Sequence, residues 1–231
     1  MGIRKLLANS ASSVSTWGLR HIAKRPAANM PGKIALKLDP QIIAESMNKI
    51  SEGSIVVVGT NGKTTITNMI ADALERQGKT VACNRTGANL AYGVATTLLQ
   101  TKGTVQWGVF ESDELWLAHT LPQVQASYVL LLNLFRDQLD RCGEIDRVQD
   151  AIVQALNESP DTVLLYNADD PLCAMVALRV QNKAISFGVG EDLHQQQNKV
   201  SDAQMCQRCS AMFTYEYRQY GQLGTYSCPN C

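Results

Sequence analysis

The sequence predicts an α/β protein: a P-loop parallel sheet with helices on both faces, followed by a small four-cysteine zinc ribbon. Three observations carry this. Short, continuous apolar runs alternate with helical stretches through most of the 231 residues. Strands of that kind are buried on both faces, as in parallel sheets. The first run feeds directly into Gly59-Thr60-Asn61-Gly62-Lys63-Thr64-Thr65. Near the end, Cys206-x-x-Cys209 is answered, after eighteen intervening residues, by Cys228-x-x-Cys231.

Residues 3 to 24 have loose helical spacing at Ile3, Leu6, Leu7, Val14, Trp17 and Ile22. Two prolines and a glycine in "RPAANMPGK" break it. A helix restarts at "DPQIIAESMNKI", with Asp39 as cap and Pro40 in the first helical position. Strand candidates then follow at 55–59, 80–84, 105–111, 127–134, 162–167 and 183–188. Helical stretches lie between them at 63–77, 89–100, 113–120, 144–157 and 170–180. A polar linker, "GEDLHQQQNKVSDAQ", leads into the cysteine module. The expected division is an N-terminal basic helical segment at 1–50, an ATP-binding domain at 51–200 and the ribbon at 201–231.

Composition is that of an ordinary globular protein, 45% hydrophobic and 18% charged. The formal net charge is zero, so no global field points to nucleic acid. No apolar run reaches bilayer-spanning length, and the N-terminus lacks the continuous apolar core of a signal peptide. Seven cysteines, four of them in two CxxC pairs, suit a metal site in a reducing compartment better than a disulfide framework. A cytoplasmic location follows as the expectation. One local bias stands apart. Met1 to Leu38 contains no Asp or Glu but holds Arg4, Lys5, Arg20, Lys24, Arg25, Lys33 and Lys37. A solvated helix packed on the main domain is the favoured reading. A transit peptide or a basic helix on an anionic membrane surface are the others.

In "GTNGKTT" the glycines let the backbone turn tightly, so that several N–H groups converge on one phosphate. The helix starting near Lys63 adds its positive end. Lys63 supplies a point charge for the outer phosphates, and Thr64 holds the hydroxyl position that usually meets Mg²⁺. The usual pattern has a glycine where this chain has Val57. Glu111 closes a strand and opens "ESDELW". A carboxylate at that edge of a parallel sheet sits where ligands bind. Mg²⁺ prefers one or two carboxylates, a Thr hydroxyl and phosphate oxygens. Asp113 and Glu114 read first as favourable charge in the opening turn of a helix. Asn167 can offer a base edge both a donor and an acceptor, with Asp169 as the following helix cap. The spacing of Cys206, Cys209, Cys228 and Cys231 is that of a structural Zn²⁺ ribbon, with short strands around Tyr215–Tyr217 and Gly224–Tyr226.

Taken in order, "VVVGTNGKTT", "NRTGAN", "VFESDE", "LNLFRDQLDRCGE" and "YNADDP" resemble the central ATPase domain of the Mur ligase family. In that family the short loop with Val57 in place of a glycine is normal. The resemblance implies ATP-dependent carbon–nitrogen ligation through an acyl phosphate, with Lys63 and Glu111 as the catalytic pair. It implies ATP held by Gly59 through Thr65 with Asn167 near the adenine, and Mg²⁺ on Thr64 and Glu111. Asn133, Asp137 and Asp140 match a family Asn-x-x-x-Asp-His-x-Asp pattern, with Gln138 where many members have a second-metal histidine. Arg85, Thr86 and Asn89 fall on the substrate side.

With the four-cysteine insert, the set looks most like the branch of lipid II isoglutaminyl synthase subunits. That branch amidates the D-glutamate α-carboxylate of lipid II with ammonia from a glutaminase partner, GatD. The implied partners are GatD and lipid II, without nucleic acid. The family's C-terminal domain is not in this sequence, so a truncated chain is expected. The alternatives are a folylpolyglutamate-synthase-like ligase and a nonenzymatic nucleotide-binding module.

Overall fold

The computed structural model of this chain describes residues 3–22, 24, 28–135, 144–194 and 201–231. Six strands are present in the main body: β1 (Ile50–Val58), β2 (Val81–Cys83), β3 (Val105–Glu111), β4 (Tyr128–Leu131), β5 (Val163–Asn167) and β6 (Ala184–Phe187). They form one sheet in the order β2-β3-β1-β4-β5-β6, and every pairing is parallel. The chain reverses its direction of winding around β1, which puts a crevice at that strand's C-terminal end.

Helices cover the sheet: α1 (Ile3–His21), α2 (Met30–Leu38), α3 (Ile42–Ser46), α4 (Lys63–Arg76), α5 (Ala91–Gln100), α6 (Leu117–Val124), α7 (Glu144–Asn157) and α8 (Pro171–Arg179). Val56, Val57 and Val58 alternate between the sheet's faces and are all fully buried, so both faces are covered, as the continuous apolar run predicted. Phe110, Val129, Leu131 and Leu164 extend the core, with Leu98, Leu121, Ile152 and Leu156 closing over it from the helices. Among the described residues no helix is long and apolar enough to cross a membrane.

Local sequence expectations are corrected at several points, and β1 begins at Ile50 rather than at 55. Residues 30–38 are helical, not a break. Pro31 lies in the first turn of α2, where its missing N–H costs nothing. Gly32 serves close packing: its N–H donates to Thr96 Oγ1 at 2.8 Å, and a Cβ would come within 1.9 Å of the Tyr92 carbonyl oxygen. Asp39 does not cap a helix beginning at Pro40. Its side chain accepts from the Gln41 N–H, and α3 starts at Ile42. The helix expected at 113–120 is shifted to 117–124, because the Asp113 carboxylate holds the Leu115 and Trp116 N–H groups in a turn before it.

The ribbon is a hairpin of β7 (Thr214–Tyr220) and β8 (Leu223–Ser227), antiparallel as the two short strands required. It lies against the main body beside the segment that follows β4 and the cap of α8. Gln222 is fully buried there, and its Nε2 donates to the Leu134 carbonyl at 2.7 Å.

Candidate nucleotide and metal site

β1 ends at Val58 and α4 begins at Lys63, so Gly59 to Gly62 must turn the chain through the crevice. Gly59 adopts φ 140°, and a Cβ there would meet the Asn133 carbonyl oxygen and Leu132 Cβ at 3.0 Å. Gly62 caps α4 at φ 85°, a left-handed conformation that glycine enters without penalty.

The loop is fastened from β4. The Thr60 N–H donates to the Asn133 carbonyl at 2.9 Å. The Asn133 side chain accepts from the Asn61 N–H at 2.9 Å and donates to the Asn61 carbonyl at 3.0 Å. The Thr60 hydroxyl accepts from the Phe135 N–H and donates to the Phe135 carbonyl. A turn built from small residues is thereby given one conformation, and the N-terminus of α4 faces the crevice.

Lys63 and Thr64 lie on the first turn of α4. The Thr64 hydroxyl donates to Glu111 Oε2 at 2.7 Å, joining the two residues expected to share a metal. Glu111 is buried at 3% exposure. Its backbone is bracketed by Asn84, which accepts from the Glu111 N–H at 2.8 Å and donates to the Glu111 carbonyl at 2.9 Å. Lys63 Nζ donates to the Gly59 carbonyl at 2.6 Å and pairs with Glu114 Oε1 at 3.1 Å. The same oxygen accepts from the Gly59 N–H at 3.1 Å. Glu114 is thus an anion seated at the mouth of the phosphate loop, and not a first-turn charge of α6. Thr60, Lys63, Asp113, Glu114, Leu134 and Phe135 line a cavity of about 210 Å³ at this point.

The remaining sequence candidates divide. Gly87 lies against Thr64: a Cβ on it would meet the Thr64 hydroxyl oxygen at 3.3 Å, so "NRTGAN" borders the site. Arg85, however, is held by Asp72 at 2.6 Å and Glu75 at 2.8 Å on α4. Thr86 is exposed, and the Asn89 carbonyl accepts from the Asp113 N–H. Asn167 uses its amide within the fold, donating to the Leu132 carbonyl at 3.0 Å and accepting from the Asp169 N–H at 3.1 Å. The cap of α8 is Asp170, not Asp169; its carboxylate accepts from the Leu172 N–H. Asp137, Gln138 and Asp140 lie outside the described residues. Asn84 and Gln222 went unread in the sequence, and Glu114 was read only as a helix-start charge. Only Asn84 had a signal, its place in "NRTGAN".

Against this geometry the comparisons are specific. A family model described as "Mur ligase middle domain" matches residues 57–228. The chain belongs to the Mur ligase family.

Two relatives are subunits MurT of lipid II isoglutaminyl synthase (glutamine-hydrolyzing). The protein from Staphylococcus aureus (strain COL) is 31% identical over 211 residues, 90% of this chain and 47% of its own length. The one from Streptococcus pneumoniae (strain ATCC BAA-255 / R6) is 31% identical over 234 residues, 100% of this chain and 52% of its own length. The chain therefore spans about half the length of the curated relatives it matches. A pseudomurein peptide ligase type C from Methanothermus fervidus shares the fold at TM-score 0.63, with 21% identity over 78% of this chain and 36% of that one.

Mur ligases are ATP-dependent carbon–nitrogen ligases that use Mg²⁺, and the residues present fit both. Mg²⁺ selects carboxylate and hydroxyl oxygens together with phosphate oxygens. Thr64 Oγ1 and Glu111 Oε2 are such a pair on the floor of a phosphate loop.

The four ribbon sulfurs lie within 4.8 Å of one another. Cys206 and Cys231 are 3.6 Å apart, and Cys209 and Cys228 3.4 Å. Tetrahedral Zn²⁺ with bonds of about 2.3 Å separates its sulfurs by roughly 3.8 Å, so the cluster has the right size. The Asn230 N–H pulls the Cys228 thiol down to about 6, while hydrogen bonding to Cys228 pushes Cys231 up to about 12.

Proposed function

We propose that this chain is the ATP-binding part of a lipid II amidating synthetase. The longer protein would convert the D-glutamate α-carboxylate of lipid II to D-isoglutamine in peptidoglycan synthesis. A glutaminase subunit of the GatD type supplies the ammonia. One observation carries the reading. Similarity to two MurT subunits extends over 90% and 100% of the chain, the second match taking in the ribbon, and it covers residues that meet at one phosphate loop. The reaction takes place on the cytoplasmic side, where nucleotide is available. Residues 1–50 form a basic helical segment, 51–200 the ATP-binding domain and 201–231 the zinc ribbon.

The chemistry requires two displacements. A carboxylate oxygen attacks the γ-phosphorus of ATP, ADP leaves, and an acyl phosphate forms. Ammonia then attacks the acyl carbon, phosphate leaves with the bond's electrons, and a proton is lost to solvent. Such transfer depends mainly on positioning and on neutralising charge. Main-chain N–H groups from Gly59 to Thr65 cradle the phosphates. Lys63 moves from Glu114 to the outer phosphate oxygens, and Thr64 and Glu111 hold Mg²⁺. When bound, Mg²⁺ offsets negative charge on the transferring phosphoryl group. Asn167 borders the adenine, and Cys206, Cys209, Cys228 and Cys231 hold Zn²⁺ in a structural role.

The test is reconstitution of the full-length protein with its glutaminase, lipid II, glutamine and ATP. Lys63→Ala should abolish amidation and sharply weaken nucleotide binding while glutamine hydrolysis persists. ATP turnover unchanged in that variant would overturn the reading.

A further inference from the structure

Helix α1 is built the wrong way round for a helix that ends at its own domain. Its inward face consists of Ala8, Ser12, Ser15 and Leu19, spaced by three and four residues. Ala8 and Ser12 are buried, at 0% and 3% exposure. Leu19 excepted, the large apolar side chains from Leu6 to Trp17 are on the other side. Leu7, Val14 and Trp17 are 55%, 70% and 57% exposed, with Leu6 beside them. Ile22, just past the helix end, is 73% exposed. A helix stabilised only by its own domain would put Leu, Val and Trp inward and Ser outward.

Charge identifies what covers this face. Residues 1–38 carry no Asp or Glu, and Arg4 and Lys24 are exposed at either end of α1. The first acidic residues downstream are accounted for: Asp39 is 6% exposed, and Glu45 pairs with Lys5 at 3.3 Å. A basic segment with no acidic residue of its own, around exposed Leu and Trp side chains, matches the headgroup boundary of an anionic bilayer. The core of a protein interface, by contrast, is depleted in charged residues.

We infer that α1 is an interfacial helix that lays Leu7, Val14 and Trp17 into the surface of an anionic membrane. It holds the phosphate-loop domain against the bilayer without crossing it. This inference does not rest on the proposed substrate, because it concerns lipid alone.

The test is co-sedimentation of the full-length complex with vesicles of phosphatidylglycerol and phosphatidylcholine, and with vesicles of phosphatidylcholine alone, neither containing substrate. Binding is expected to the anionic vesicles and to fall steeply with added salt. Arg4→Gln and Lys24→Gln should each weaken it about fivefold, the effect of one basic residue near a charged membrane. Trp17→Glu and Leu7→Glu, both at exposed positions, should reduce it to the level seen with neutral vesicles, with glutamine hydrolysis and nucleotide binding unchanged. Equal binding to both vesicle types, or binding unaffected by Trp17→Glu, would overturn the inference. So would a lipid-independent self-association that Trp17→Glu abolishes, which would assign the face to a second copy.

Discussion

Gln222 Nε2 reaches across 88 positions of sequence to donate to the Leu134 carbonyl at 2.7 Å, with both groups out of water. The bond links the ribbon hairpin to the segment that fastens the phosphate loop. Leu132 to Phe135 hold Thr60 and Asn61 in place. Phe135 itself packs edge-on against Tyr220 of β7 at 5.6 Å. The four-cysteine module is therefore tied to the segment that supports the loop between β1 and α4. Gln222→Met, of similar volume, would leave a buried carbonyl without its partner. It should cost about 1–3 kcal/mol in urea unfolding and weaken nucleotide binding measured by calorimetry. Lost stability with unchanged affinity would separate the ribbon from the loop.

That connection marks the boundary of what the sequence revealed. The sheet, its parallel sense, the phosphate loop and the Thr64–Glu111 pair were legible because each depends on local order: an apolar run, a glycine turn, a residue at a strand end. Gln222 and Glu114 were not legible. A lone Gln in a hairpin carries no periodicity, and only the fold sets it against Asp170 and Leu134. Glu114 read as a helix-start charge because nothing in "ESDELW" reveals that Asp113 makes a turn first and delays α6 to Leu117.

The Thr64 hydroxyl and Glu111 carboxylate meet at 2.7 Å, so each is expected to fail alone. Thr64→Val keeps the shape and removes the oxygen. Glu111→Gln keeps the bulk and removes the charge. Each should lower amidation by roughly 10²-fold or more and raise the Mg²⁺ concentration needed for half-maximal rate. Thr64→Ser should restore most of the activity. Unchanged Mg²⁺ dependence in both variants would remove the pair from the metal site.

Lys63 and Glu114 pair at 3.1 Å with both side chains largely shielded, and Glu114 also takes the Gly59 N–H. An incoming phosphate needs the same ammonium and the same amide, so Glu114 competes with it. Glu114→Gln should tighten ADP binding in the absence of Mg²⁺ by about two- to fivefold, the scale of a modest ion pair. Titration calorimetry measures it directly. Weaker binding would reassign Glu114 to nucleotide or metal contact.

Asp170 supplies the pH-dependent prediction. Burial pushes its carboxyl up to about 6 from 3.8, against the opposing hydrogen bonds from the Leu134 and Leu172 N–H groups, Cys173 and Gln222. A carboxylate raised in the folded state binds more protons folded than unfolded between those two values. Stability must then fall as pH rises through that window and level off above it. The full effect is roughly 3 kcal/mol, since the group is almost wholly shielded from solvent. Asp170→Asn keeps an acceptor for the Leu172 N–H but cannot titrate. The stability difference between wild type and Asp170→Asn, taken from urea unfolding across this pH range, should therefore shift steadily against the wild type as pH rises. A difference that stays constant would mean that the four donors around the carboxylate outweigh its burial. In that case Asp170 is an ionised cap that anchors α8, Leu134 and the ribbon together.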